Sequence, residues 1–398
     1  IQSFSAFSEK LSASDLVSLL NNYLTEMTDI LMENNGTLDK YIGDAIVAFY
    51  GAPLDLKEHE LLACRTAIKM QERLAVLREQ WQEEGERWPE IVHHMQNRIG
   101  INTGKMVTGN MGSESRMNYT MMGDTVNLAA RLESSAKQYG VYIQISDTTY
   151  ESVKDQVVVR ALDFVRVMGK TEPVKVFELI SEKDQEPEQY KKILPVFHEG
   201  LGYYFNQDWD KAIEAFSTLI GLAKKTGNSN YHVMSLNGLG TVYLEMSDYV
   251  NAMNQFQNAL KIIQDSGTDI GKSGILNNIG EIYRETGDHQ QALVYYTQCY
   301  QLSRKIEDQY SMATALLNIG EVHKVEKNYQ DAIDYYNRSL VIYSELEDKA
   351  SVSFALSCLG DVYNLQGYLK RSDSIASIAL QKAQEVRSVI EIRMAADC

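Results

Sequence analysis

Residues 38–53 read LDKYIGDAIVAFYGAP. Two apolar-rich runs flank Gly43-Asp44, a dipeptide that favours a tight turn, so the stretch reads as a two-stranded hairpin. A carboxylate then stands at the tip of an apolar hairpin, with Lys40 just upstream. Taken alone, Gly-Asp is ordinary turn punctuation. With suitable neighbours, the same pair becomes a metal ligand beside a lysine that reads a bound molecule.

The flanking sequence mixes helix and strand patterns. Residues 14–34, SDLVSLLNNYLTEMTDILMEN, have helical periodicity, with Ser12 or Ser14 to cap the start and Gly36 after the end. Residues 58–85 predict a second long amphipathic helix. RIGINTG (98–104), KMVTGNMG (105–112) and NYTMMG (118–123) read as strands. DTVNLAARLESSAKQYG (124–140) reads as a helix closed by a glycine, and VYIQIS (141–146) as a strand. Residues 157–180 give two further strands joined around Met168-Gly169-Lys170. This is an α/β order with an antiparallel component.

Beyond a charged, proline-containing linker, SEKDQEPEQYKK (181–192), the chain repeats itself. Gly200, Gly240, Gly280, Gly320 and Gly360 recur every forty residues, each followed three residues on by Tyr203, Tyr243, Tyr283, His323 or Tyr363. Ala212, Ala252, Ala292, Ala332 and Ser372 keep the same period, as do Phe216, Phe256, Tyr296 and Tyr336 until Ala376 breaks the register. Such a period means a solenoid of helix pairs, turning near Asp208-Trp209, Asp248-Tyr249, Gly287-Asp288 and Asn328-Tyr329. Small residues let helices approach and aromatics fill the space between them, so the fixed register of the tyrosines points to packing rather than to a binding stripe. The pattern resembles the tetratricopeptide repeat, with a longer period than that family's usual one. It implies an all-α solenoid and an unknown protein partner of the repeats.

The chain has 398 residues, room for two or three domains, and globular proportions of hydrophobic (44%) and charged (23%) residues. Its net charge of −16, from 54 acidic and 38 basic residues, argues against general nucleic-acid binding and against docking on anionic membranes. Four scattered cysteines form no CxxC or Cys/His cluster, so neither a disulfide framework nor a zinc site is indicated, and a reducing, cytoplasmic setting is expected. No apolar run is long enough to span a bilayer.

Five separated segments, IQSFSAFSE, LDKYIGDAIVAFYGAP, RIGINTG, GNMGSESRMNYTMMGDTVNLAARLE and MGKTEPVKVFEL, together resemble the class III nucleotidyl cyclase catalytic domain, in order and spacing. FYGAP and Thr120 are most similar to the subgroup that includes bicarbonate-responsive soluble adenylate cyclases. The resemblance implies an α/β, ferredoxin-like βαββαβ core over residues 1–180, a linker at 181–192 and repeats over 193–398. It implies adenylate cyclase activity, converting ATP to 3′,5′-cyclic AMP and pyrophosphate by in-line attack of the ribose 3′-oxygen on the α-phosphorus. Two Mg²⁺ or Mn²⁺ ions per site would stabilise the attacking oxygen and the phosphate charge.

Residue by residue, Asp44 matches the second metal-binding aspartate, and Ile1 the residue whose backbone carbonyl reaches a metal. The first such aspartate belongs just before Ile1, so it and the first strand are expected upstream. Ser3, Phe4 and Ser5 match the turn whose amides hold the terminal phosphates, with serine where the family usually has glycine and threonine. Lys40 matches the lysine that donates to adenine N1, and Thr120 the acceptor for the adenine amino group. Asn127 and Arg131, four residues apart on one helix face, match the ribose-positioning residue and the arginine that answers charge on the α-phosphate. Lys170 matches a polyphosphate-binding lysine, and Arg116 is a looser phosphate candidate with an exposed surface role as its alternative. The family's site forms at a head-to-tail dimer interface, which implies a homodimer. Two rivals stay open on the sequence alone: a non-enzymatic cyclase-fold scaffold with partner-binding repeats, which an aspartate before Ile1 would disfavour, and a guanylate cyclase, which Lys40 and Thr120 disfavour.

Overall fold

The computed structural model describes residues 1, 4–137, 139–165, 174–266, 271–346 and 348–385. Among these, the chain divides into two compact units, Ile1–Val165 with Val174–Glu186, and Pro187 onward.

The first unit opens with two helices, α1 (Phe4–Lys10) and α2 (Ala13–Glu33). The Ser12 hydroxyl accepts from the Asp15 amide at 3.2 Å and caps α2. At its far end the left-handed residue is Asn35 (φ 61°), not Gly36. Gly36 serves close approach instead: a Cβ there would collide with Leu31. The hairpin follows as β1 (Thr37–Ile42) and β2 (Ala45–Phe49), with Ile42 opposite Ala45 across the two-residue turn. Gly43 (φ 62°) takes the first central position, where the twist of a tight hairpin requires glycine.

Next come α3 (His59–Glu83), the short α4 (Glu90–His93) and β3 (Ile99–Ile101), then the ribbon β4 (Val107–Ser113) and β5 (Arg116–Met122), and α5 (Asp124–Ser135). Then β6 (Ile143–Ser146), α6 (Asp147–Val153), β7 (Val157–Val165) and β8 (Val174–Glu182) complete the unit. The strands form three sheets: β1-β2, β4-β5, and a four-stranded sheet in the order β3-β6-β8-β7, in which β3-β6 is parallel and the other pairs antiparallel. The succession α2-β1-β2-α3-β3 follows the βαββαβ pattern from its first helix onward. Among the described residues of 1–10, Phe4–Lys10 are helical and none lies in a strand.

Helix α3 belongs to two cores. Its first half buries Leu61, Cys64, Ala67 and Ile68 against Ile143, Ile145, Val157 and Phe177 of the four-stranded sheet. Its second half buries Met70, Leu74, Leu77 and Trp81 against Leu19, Tyr23, Met27 and Leu31 of α2. Two bidentate ion pairs mark the same two contacts, Arg65 to Glu182 (2.8 and 2.6 Å) and Arg73 to Glu26 (2.8 and 2.9 Å). Helix α5 lies on β3 at Gly100, where a Cβ would strike the Ala129 carbonyl and the Glu133 amide. It ends at Ser135, earlier than the glycine-closed helix over 124–140 that the pattern predicts.

The second unit is all helix: α7 (Glu188–Phe205), α8 (Trp209–Thr226), α9 (Ser229–Glu245), α10 (Tyr249–Ser266), α11 (Lys272–Glu285), α12 (His289–Lys305), α13 (Gln309–Val325), α14 (Tyr329–Glu345), α15 (Lys349–Leu365) and α16 (Leu369–Glu385). Since β8 ends at Glu182 and α7 starts at Glu188, the passage between them is shorter than the linker expected at 181–192. The forty-residue registers have a direct steric meaning. Each of the first four glycines is the seat of the aromatic ring sixteen residues on: a Cβ at Gly240 would lie 2.5 Å from the Phe256 ring, and one at Gly280 or Gly320 would lie 2.6 Å from Tyr296 or Tyr336. Where the ring is tyrosine rather than phenylalanine, a glutamate follows the glycine and takes its hydroxyl: Tyr296 donates to Glu281 at 3.0 Å and Tyr336 to Glu321 at 2.5 Å. The register of Tyr203, Tyr283, His323 and Tyr363 is half-buried and packs sideways, Tyr283 stacking on Tyr295 and His323 on Tyr335. The alanines at 212, 252, 292 and 332 are fully buried, and Ser372 in the last copy gives its hydroxyl to the Gly360 carbonyl at 3.0 Å. Cys64, Cys299 and Cys358 are buried free thiols, while Cys398 lies outside the described residues.

Two predictions follow from this packing. Gly280→Ala forces a methyl group into the Tyr296 ring, and denaturant unfolding is expected to show a loss of about 1–3 kcal/mol; Gly287→Ala, with no neighbour to strike, should lose less and only through its positive φ. Arg65 and Arg73 hold the Glu182 and Glu26 carboxyls below the usual carboxylate range through direct hydrogen bonds. Their folded values are depressed, so this contribution is full above the ordinary carboxylate value and is lost as pH falls through the folded one. Melting temperatures taken from about pH 6 to about pH 3 should fall more steeply for the wild type than for Arg65→Met/Arg73→Met.

Candidate active site

The residues singled out by sequence fall into three groups. The first joins the two ribbons. Lys40 is on β1 and Thr120 on β5, eighty residues apart in sequence, and the structure links them through Asp39. The Thr120 hydroxyl donates to Asp39 Oδ2 at 2.8 Å, and Lys40 Nζ lies 3.5 Å from the same oxygen. Thr120 is 9% exposed and the Asp39 side chain 2%, while half of the Lys40 side chain stands in solvent. Phe49 and Tyr119, with ring centroids 6.0 Å apart, pack the same two ribbons together.

The second group is at the hairpin tip. Asp44 follows Gly43 in the turn, and its Oδ2 accepts from the backbone nitrogen of Ile1 at 2.5 Å. The contact is an ion pair with the amino group of residue 1, and it places residue 1 beside the carboxylate. The donor set fits a hard divalent cation: a carboxylate and a backbone carbonyl are both oxygen donors. Among the described residues no three His, Cys, Asp or Glu side chains cluster as a metal cage.

The third group is on α5, whose N-terminus directly follows β5. Asn127 is exposed and Arg131 half-buried, and the buried Leu128 and Leu132 fix the face on which α5 rests. Arg116 starts β5, exposed, opposite Ser113 at the outer end of the ribbon. Phe4 opens α1, half-buried; the side chain of Ser5, and all of Ser3 and Lys170, lie outside the described residues.

Asp39 is the residue that sequence reasoning missed. An acidic side chain in a half-exposed strand reads as solvent-facing. One signal was present: Asp39 and Lys40 are adjacent charges in a strand, which breaks the apolar–polar alternation.

Residues 1–181 match the family model described as the adenylate and guanylate cyclase catalytic domain, and stretches within 233–372 match the tetratricopeptide repeat. The chain is 34% identical over 220 residues to an adenylate cyclase, terminal-differentiation specific, of Dictyostelium discoideum, covering 54% of this chain and 10% of that protein. It is 32% identical over 180 residues to adenylate cyclase 1 of Rhizobium meliloti, covering 45% of this chain and 26% of that protein. The crystal structure of the adenylyl cyclase CyaB from P. aeruginosa aligns with 36% identity and a TM-score of 0.41 over 46% of this chain and 91% of that one. The chain thus spans a small part of the length of these curated relatives. Residues 1–181 belong to the adenylate and guanylate cyclase catalytic domain family, and tetratricopeptide repeats follow them in the same chain.

Proposed function

We propose that the chain is an adenylate cyclase that converts ATP to 3′,5′-cyclic AMP and pyrophosphate. The observation that carries this reading is the contact of Lys40 and Thr120 through one buried carboxylate, which makes a single recognition unit of two residues from separate ribbons. Lysine donates only, which suits adenine N1, and the threonine oxygen accepts from the adenine amino group. The relatives named above carry the same activity in their names.

Asp44 and the Ile1 carbonyl would hold Mg²⁺ or Mn²⁺, which supplies charge stabilisation at the reacting phosphate when bound. Asn127 positions the ribose. Arg131 faces the charge that grows on the α-phosphate oxygens, and its guanidinium is a fixed cation with hydrogen-bond donors already oriented. The two sets of residues meet across a head-to-tail homodimer. Tyr41, Ile42, Val107, Met117 and Met122, large apolar side chains on the two ribbons, are 45–65% exposed, which supports a partner on this face. The repeats then serve protein interaction, either receiving a signal or setting dimer geometry.

The test is cyclic AMP and cyclic GMP formation by protein made from its complete reading frame, with Mg²⁺ or Mn²⁺. Arg131→Ala should lower kcat by about 10²–10³, and Asp44→Ala should abolish metal-dependent turnover. Undiminished product from either variant sinks the site assignment. A folded dimer that makes no cyclic nucleotide supports a scaffold instead.

A further inference from the structure

Asp39 is the extra residue of the β1–β2 ladder. Leu38 pairs with Ala48 and Lys40 with Val47, so the ladder passes over Asp39. Such a bulge re-aims a side chain. Here the side chain leaves its own ribbon and reaches β5, where Oδ2 takes the Thr120 proton at 2.8 Å and faces Lys40 Nζ at 3.5 Å. The carboxylate is 98% buried by side chain, and its Oδ1 has no hydrogen-bond partner.

The direction of the Thr120 bond follows from chemistry. A carboxylate only accepts, so the single hydroxyl proton of Thr120 is committed to Asp39. What remains for a ligand on the threonine oxygen is lone pairs. The unpartnered Oδ1 leaves the carboxylate with spare acceptor capacity beside the hydroxyl. Asp39 also holds Lys40 beside Thr120, so the pair presents one donor and one acceptor in fixed order. Adenine offers the complement, an acceptor at N1 and an amino group at C6. Guanine offers the reverse, N–H at N1 and a carbonyl at C6, and meets a mismatch at both positions.

We infer that Asp39 is a specificity-determining positioning residue: by taking the Thr120 proton it makes Thr120 an obligate acceptor, so the site selects 6-aminopurine over 6-oxopurine nucleotides. This rests on the reading that Lys40 and Thr120 face the base. Without Asp39, the Thr120 hydroxyl turns and donates to a 6-carbonyl, and the rejection of GTP weakens.

The experiment measures ATP and GTP affinities by titration calorimetry, and kcat/KM for both nucleotides, on protein from the complete reading frame. Asp39→Ala should lower the ATP:GTP preference about tenfold to a hundredfold. Asp39→Asn, which keeps the volume but adds an N–H₂ group, should lower it less and serves if the alanine variant does not fold. In a Thr120→Val background, Asp39→Ala should change the preference no further, because the hydroxyl it directs is gone. A wild-type ratio in both Asp39 variants, with ATP preferred by the wild type, overturns this inference and leaves the adenylate cyclase reading intact. An equal loss in the Thr120→Val background also overturns it, since Asp39 would then act only on the scaffold. A wild type that neither prefers ATP nor makes cyclic AMP removes the reading and the inference with it.

Discussion

Contacts closer than a methyl group permits organise both units. At Gly100 the backbone of α5 rests on β3, and the position tolerates only hydrogen. At Gly240, Gly280 and Gly320 the same restriction seats an aromatic ring from the partner helix of the repeat. In the first unit this sets the height of α5 above the sheet, and with it the positions of Asn127 and Arg131. In the second it makes each helix pair a copy of the last, because one ring in one slot fixes both axial shift and separation. Close packing of this kind transmits position and does not average it out. A site assembled from β1, a turn and α5 needs that property.

The parts of the fold legible in the sequence are those set by periodicity and by turn chemistry. Gly43-Asp44 between apolar runs announces the hairpin, Ser12 or Ser14 the start of α2, and the forty-residue registers the repeats. What stayed hidden is set by contacts distant in sequence. Nothing local shows that Asn35 rather than Gly36 takes the left-handed position, because Gly36 is demanded by the Leu31 side chain. The pattern over 124–140 runs on past Ser135, where α5 stops. Helix α6 is a single stretch of seven residues, too short for periodicity to declare. Among the described residues of the repeats, the left-handed position is held by Gln207, Ser247, Glu307 and Lys327 as often as by glycine, so glycine alone would have located only some of the turns.

The candidate site divides along the same line. Lys40, Asp44, Thr120, Asn127 and Arg131 were legible because residue type and spacing together resemble a known family. Asp39 was not, because its role depends on a bulge, and a bulge is a departure from the regular pairing on which strand reading relies. A regular ladder alternates faces residue by residue, so one inserted residue changes which side chains share a face. The irregularity in β1 therefore brings two adjacent charged residues to one place, and in the proposed reading Lys40 is the donor and Asp39 the group that directs its neighbour on β5.

Charge supplies the last constraint. A chain of net charge −16 repels a triphosphate at long range, so in the proposed reading affinity comes from short-range contacts. The purine end offers neutral hydrogen bonds and the phosphate end offers only anionic oxygens. Asp44 at the hairpin tip would add repulsion if it met phosphate directly, whereas a shared divalent cation reverses the sign of that contact. The two acidic residues of the hairpin thus act in opposite ways. Asp44 is partly open to solvent and suited to an incoming cation, while Asp39 is sealed between the ribbons, where Lys40 lies beside its Oδ2 and Thr120 donates to that same oxygen. Burial separates the roles proposed for them: the partly open carboxylate can be reached by a ligand, and the buried one is confined to orienting its neighbours.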